Sequence, residues 1–205
     1  MPKFAANLTM MFNEVKFLDR FKEASRTGFD AVEFLFPYDH PKELVAEKLS
    51  SNSLRTVLFN FPAGDWDSGE RGLACIPNRV GEFQDGVGTA IEYANTIGCS
   101  QLNCLSGIMP PGVDIYEARE TFISNLKFAV SHLSENNVKV LIEPINTKDI
   151  PGMFLTSTRQ ALSIIDEVGS DNLGLQYDVY HMQIMEGDLV ETITSNKELI
   201  KHIQI

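Results

Sequence analysis

No run in this chain approaches the roughly 20 consecutive apolar residues that a membrane-spanning helix requires, so no membrane association is expected. A basic segment ahead of a long apolar stretch is also missing. Asn7 and Glu14 interrupt the first apolar run, which argues against a secretory signal, and the cytoplasm is the expected compartment. Cysteine is scarce: Cys75, Cys99 and Cys104 form no C-x-x-C pair, which argues against a disulfide framework and a thiolate zinc site. Positive charge is in deficit, 17 Lys and Arg against 28 Asp and Glu, for a net charge of -11. With no visible basic cluster, polyphosphate backbones are poor partners and nucleic acid is not expected, whereas a divalent cation and a small substrate fit the balance. The phosphate-binding patterns are absent too. No G-x-G-x-x-G follows the first apolar segment and no G-x-x-x-x-G-K-[ST] occurs, which removes the usual evidence for a nucleotide fold.

What is present is a regular alternation. Extended apolar segments are predicted over 4–11, 31–36, 55–61, 101–106, 138–146, 173–179 and 200–205, with helical periodicity over 15–26, 40–52, 80–96, 115–136, 157–168 and 182–199. Seven strands alternating with six helices imply parallel βα units joined by right-handed crossovers. An α/β TIM-type (β/α)8 barrel is favoured over an open doubly wound sheet. Such barrels take about 250 residues, so residues 1–205, read as one domain, are expected to be an incomplete barrel without its eighth strand. An open barrel edge would favour self-association, and a homo-oligomer is kept open on that ground. The loop 63–79 is too long for a connector, and its Trp66, Leu73 and Ile76 are costly to leave in water, so it is expected to pack over something as a substrate lid.

Three strand ends then attract attention. In V-K-V-L-I-E-P-I-N the carboxylate of Glu143 follows a run of branched apolar residues and precedes Pro144, which cannot continue a ladder. Taken alone, Glu143 reads equally well as a buried glutamate neutralised by an arginine or by backbone donors. Asp178 and Gln204 lie at the ends of the sixth and seventh predicted strands, and in a barrel the carboxyl ends of strands converge on one mouth. Glu143, Asp178 and Gln204 are hard oxygen donors that suit Mg²⁺ or Mn²⁺ better than zinc. His202 shares a strand face with Gln204 and is readable as a ligand, as a neighbour of one, or as a core histidine. His181, three residues past Asp178, is better placed for a substrate oxygen than for a metal, with a surface or capping histidine as the alternative.

Taken together, the stretches Glu143-Pro144-Ile145-Asn146, Asp178-Val179-Tyr180-His181-Met182-Gln183 and His202-Ile203-Gln204, with the loop Gly69-Glu70-Arg71-Gly72-Leu73-Ala74 and its Pro77 and Arg79, resemble the hydroxypyruvate isomerase family of xylose-isomerase-like barrels. The resemblance spans essentially the whole chain. It implies a metal held by Glu143, Asp178 and Gln204, with Glu143 also one of two catalytic glutamates and His181 in the substrate pocket. The implied reaction interconverts hydroxypyruvate and tartronate semialdehyde, or a longer 2-oxo sugar acid and its isomer, with Arg71 or Arg79 holding the substrate carboxylate. Two departures stand out: Pro77-Asn78-Arg79 replaces the family's P-G-R, and the family's second glutamate lies on an eighth strand past Gln204. The rivals are a sugar epimerase or dehydratase with the same metal mouth, and an inactive truncated chain. A barrel endonuclease would need several zinc-binding histidines and a basic groove, for which four histidines and an acidic balance are a poor match.

Overall fold

A computed structural model describes residues 2–205. Seven strands, β1 (Ala6–Asn7), β2 (Ala31–Glu33), β3 (Arg55–Asn60), β4 (Gln101–Cys104), β5 (Lys139–Ile142), β6 (Leu173–Asp178) and β7 (Ile200–Gln204), form one sheet in sequential order. Every pair is parallel. The helices are α1 (Phe17–Arg26), α2 (Lys42–Ser51), α3 (Val80–Ile97), α4 (Ile115–Glu135), α5 (Thr158–Val168), α6 (Val179–Met185) and α7 (Leu189–Asn196), with a 3-10 turn at Pro77–Arg79 ahead of α3. The sheet curls into the greater part of a TIM-type barrel. Among the described residues no helix is long and apolar enough to cross a membrane.

Two expectations change. The stretch read as one helix over 182–199 is two, because Gly187 (φ 66°) and Asp188 (φ 48°) enter the left-handed region and break the ladder, so the described residues hold seven helices and not six. The first of these starts earlier than periodicity suggests, since the Asp178 carboxylate caps α6 by accepting from the Tyr180 and His181 amides. The strands are also shorter than the apolar runs that announce them. At β1 the Asn7 carbonyl accepts from the Met10 and Met11 amides, which turns the chain out of the sheet after two residues.

Strand β5 shows why the runs read as apolar. Val140, Leu141 and Ile142 are all fully buried, because one face fills the barrel and the other lies under the helices. From outside, α4 covers the sheet with Ala118, Phe122, Leu126, Ala129 and Leu133, a stripe at helical spacing. Truncating Leu126 to Ala would cost about 2–5 kcal/mol by the usual cavity penalty.

The loop 63–79 packs as a wall of the cleft. Leu73, Ala74 and Cys75 are buried, the Cys75 amide donates to the Ser106 carbonyl at 2.8 Å, and buried Asn125 on α4 donates to the Ala74 carbonyl at 2.9 Å. Gly72 (φ 119°) passes so close to the chain after β4 that an added Cβ would sit 2.4 Å from the Leu105 carbonyl oxygen. Only glycine fits there.

Candidate active site

Glu143 is the first residue past β5, and its carboxylate sits in the barrel mouth with 5% exposure. Asn103 on β4 donates Nδ2 to Glu143 Oε2 at 2.7 Å. Burial, and then repulsion from Asp178, push the Glu143 carboxyl up to about 8, against the opposing hydrogen bonds from the Asn103 and Gln176 amides. A carboxyl held in this condition is tuned toward proton transfer near neutral pH, or awaits a cation that replaces its proton.

Asp178 ends β6 and divides its two oxygens. Oδ1 caps α6, accepting from the Tyr180 amide at 2.7 Å and the His181 amide at 3.2 Å, while Oδ2 lies 3.8 Å from His181 Nε2. One ligand atom from each of Glu143, Asp178 and His181 lies within 4.8 Å of the others. His181 is held from behind by Asn146, whose Nδ2 is 2.7 Å from His181 Nδ1, and burial lowers the affinity of the ring for a second proton.

Gln204 ends β7 in register with Asp178. Its Oε1 accepts from Gln176 Nε2 at 2.8 Å and its Nε2 donates to Glu33 Oε1 at 2.7 Å. Glu33, buried at the end of β2, also accepts from Asn7 Nδ2 at 2.9 Å, and its Oε2 is 2.6 Å from His202 Nε2. His202 therefore faces Glu33 across the barrel interior. Sequence reasoning passed over Glu33, Asn103 and Gln176. The signal that singled out Glu143, a polar side chain inside an apolar strand, is present in A-V-E-F-L-F and Q-L-N-C-L-S as well.

The two arginines separate. The Arg71 guanidinium stacks over Trp66 with Cζ 4.0 Å from the ring centroid, and its Nη1 donates to the Trp66 and Glu70 carbonyls at 2.9 and 2.7 Å. Arg71 and Trp66 line the same cavity of about 960 Å³ as Glu143, Asp178, His181 and Gln204. Arg79 does not line it. Its guanidinium is taken up by Glu70 and by a two-pronged contact with Glu82 at 2.6 and 2.7 Å, so it braces the loop against α3.

The donor set matches a hard divalent cation. Two carboxylates share one pocket where repulsion between them already raises the proton affinity of Glu143, and Gln204 lies on the neighbouring strand in backbone register with Asp178. Gln176, which lines the cavity, keeps its buried Oε1 without a protein partner.

Residues 21–205 match the family described as xylose isomerase-like TIM barrel. The hydroxypyruvate isomerase of Escherichia coli is 51% identical over 205 residues, all of this chain and 80% of that protein. The 2-oxo-tetronate isomerase of Cupriavidus necator is 47% identical over all of this chain and 79% of its own length. A crystal structure described as an AP endonuclease, family 2, from Brucella melitensis superposes with a TM-score of 0.98 at 45% identity, covering all of this chain and 79% of that one. On a match of this extent, and with its carboxylates at the mouth of a parallel barrel, the chain belongs to the xylose isomerase-like TIM barrel family.

Proposed function

We propose that this chain is an isomerase that interconverts hydroxypyruvate and 2-hydroxy-3-oxopropanoate. The observation that carries the reading is the buried Glu143 carboxylate, clustered with Asp178 and His181, in one cavity with the Arg71 guanidinium. An aldose-ketose shift moves one proton between adjacent carbons, and a carboxylate held inside the substrate cavity is suited to take it. Glu143 is that group. Arg71 offers the N–H groups that its two carbonyl contacts leave over, and a guanidinium prestacked on Trp66 is a ready anchor for the substrate carboxylate. Glu143, Asp178 and Gln204 would hold Mg²⁺ or Mn²⁺, which when bound supplies polarisation of the substrate's carbonyl and hydroxyl oxygens.

A longer 2-oxo sugar acid is the second reading, favoured by the 47% identity to a 2-oxo-tetronate isomerase. The endonuclease description of the Brucella structure is not carried over. Of the four histidines, His181 joins the acidic cluster and His202 pairs with Glu33 in the same cavity, while His40 stacks on Phe17 and His132 lies exposed on α4. The test is a panel of hydroxypyruvate, 2-oxo-tetronates and neutral ketoses with Mg²⁺ or Mn²⁺ in D₂O, with products followed by NMR. Isomerised oxo-acid carrying deuterium at the reacting carbon supports the reading. Epimerisation of neutral ketoses with oxo-acids untouched overturns it.

A further inference from the structure

Where the loop after β5 meets α6, the protons can be counted. The Asp149 backbone N–H lies 2.8 Å from Asn146 Oδ1, and a backbone N–H pairs only with an acceptor, so that end of the Asn146 amide is its oxygen. The other end is therefore the NH₂ group. It lies 3.1 Å from Asp149 Oδ2 and 2.7 Å from His181 Nδ1, and the same Asp149 oxygen accepts from Tyr180 Oη at 2.6 Å. An amide nitrogen has no lone pair to give, so His181 Nδ1 must accept. A neutral ring that accepts at Nδ1 carries its proton on Nε2. That N–H points into the cleft, and Asp178 Oδ2 at 3.8 Å is beyond hydrogen-bonding reach.

We propose that Asn146 is a positioning residue that fixes the tautomer of His181 and so makes Nε2–H a standing hydrogen-bond donor to a substrate oxygen, not a metal ligand. A histidine coordinates only through a nitrogen that carries no proton. Binding a cation through Nε2 would move the proton to Nδ1 and set two donors against each other at 2.7 Å. Turning the amide over would avoid this and strand the Asp149 N–H instead. The acidic cluster thus splits by proton count: Glu143 and Asp178 offer oxygens to a cation, and His181 offers an N–H to the oxygen that gains negative charge during isomerisation. The kinetic half of this inference rests on the isomerase reading; the tautomer does not.

The experiment is a long-range ¹H–¹⁵N correlation spectrum of the histidine rings in the ¹⁵N-labelled chain, with His181 assigned by its loss in His181→Gln. The expected pattern for His181 is the neutral ring protonated at Nε2, unchanged when Mg²⁺ is added. Asn146→Asp combined with Asp149→Asn keeps an oxygen for the backbone N–H of residue 149, avoids two facing carboxylates and places an acceptor opposite Nδ1, so the His181 proton should move to Nδ1. In that variant kcat should fall by about 10²-fold or more, as for loss of one oxyanion donor, with KM changed much less. An Nδ1-protonated ring in the unaltered chain, or loss of the Nε2 proton on adding Mg²⁺, overturns the proposal. A chain that shows the expected ring but turns over none of the oxo-acids refutes the isomerase reading and leaves the tautomer standing.

Discussion

Glu33 Oε1 accepts the Gln204 amide at 2.7 Å, joining β2 and β7, strands that are not neighbours in the sheet, across the barrel interior. The bond orients the amide. With Nε2 held by Glu33, the carbonyl oxygen of Gln204 is turned toward Gln176 and the side of the mouth that Asp178 shares. Glu33 accepts three donors, from Asn7, Gln204 and His202, and its carboxylate has no donor of its own to oppose them. Glu33→Leu removes the acceptor for all three and frees the Gln204 amide. The expected result is a Kd for Mn²⁺, measured by calorimetry, that rises about 10- to 100-fold as for other partners of metal-ligating side chains. An unchanged Kd with a lowered melting point would make Glu33 structural only.

The three cysteines should be inert in the folded chain. Burial pushes Cys75 and Cys99 up to about 12 and raises Cys104 further, so little thiolate exists at neutral pH, and the three side chains are enclosed. An aromatic disulfide reagent at pH 8 should therefore release almost no chromophore until denaturant is added, and then three equivalents. Rapid reaction of even one thiol in the native chain would contradict this.

The barrel was legible because its signals are chemical as well as periodic. Glu143 stands out as a single carboxylate between a buried apolar run and a proline, and Asp178 with His181 marks the next strand end. Periodicity could not say where a loop's hydrogen bonds overtake a strand's, which is why the apolar run 4–11 yields only Ala6–Asn7. It also could not choose between Arg71 and Arg79. That choice depends on Glu70 and Glu82 closing around Arg79 and on Trp66 lying beneath Arg71, contacts that form only once the loop has folded. Glu33 went unnoticed for a related reason: its meaning lies in partners on β1 and β7, far away in the chain.

The same division predicts opposite outcomes for the two arginines. Arg71→Lys removes the planar fork and most of the stacking on Trp66 while keeping the charge, and hydrogen bonds to charged groups are worth about 1.5–3 kcal/mol. Steady-state kinetics should show kcat/KM for the oxo-acid falling about 10- to 100-fold, chiefly through KM. Arg79→Ala should leave KM within a small factor and instead speed limited proteolysis within 63–79, because the Glu70 and Glu82 tethers are gone. If Arg79→Ala raises KM as much as Arg71→Lys does, the assignment of Arg71 to the substrate carboxylate is wrong.

The buried Glu143 carboxyl makes the stability of the metal-free chain depend on pH. Its folded carboxyl binds a proton more tightly than the unfolded chain's, about 8 against 4.5, so unfolding releases that proton between those values. Stability of the metal-free chain should therefore fall as pH climbs from about 4.5 through about 8, by on the order of 5 kcal/mol for this group, and stay low above that. Glu143→Gln keeps the size of the side chain, removes the buried charge and removes this dependence. In EDTA at pH 9 the Gln variant should melt above the unaltered chain, and at pH 5 the two should converge. Added Mg²⁺ should raise the melting point of the unaltered chain and do much less for the variant, because a ligand that binds only the folded state stabilises it by mass action. The variant should also show no isomerisation. Parallel melting curves across pH, with and without EDTA, would mean that Glu143 carries no buried charge to relieve, and the same carboxylate could not then be the site's proton carrier.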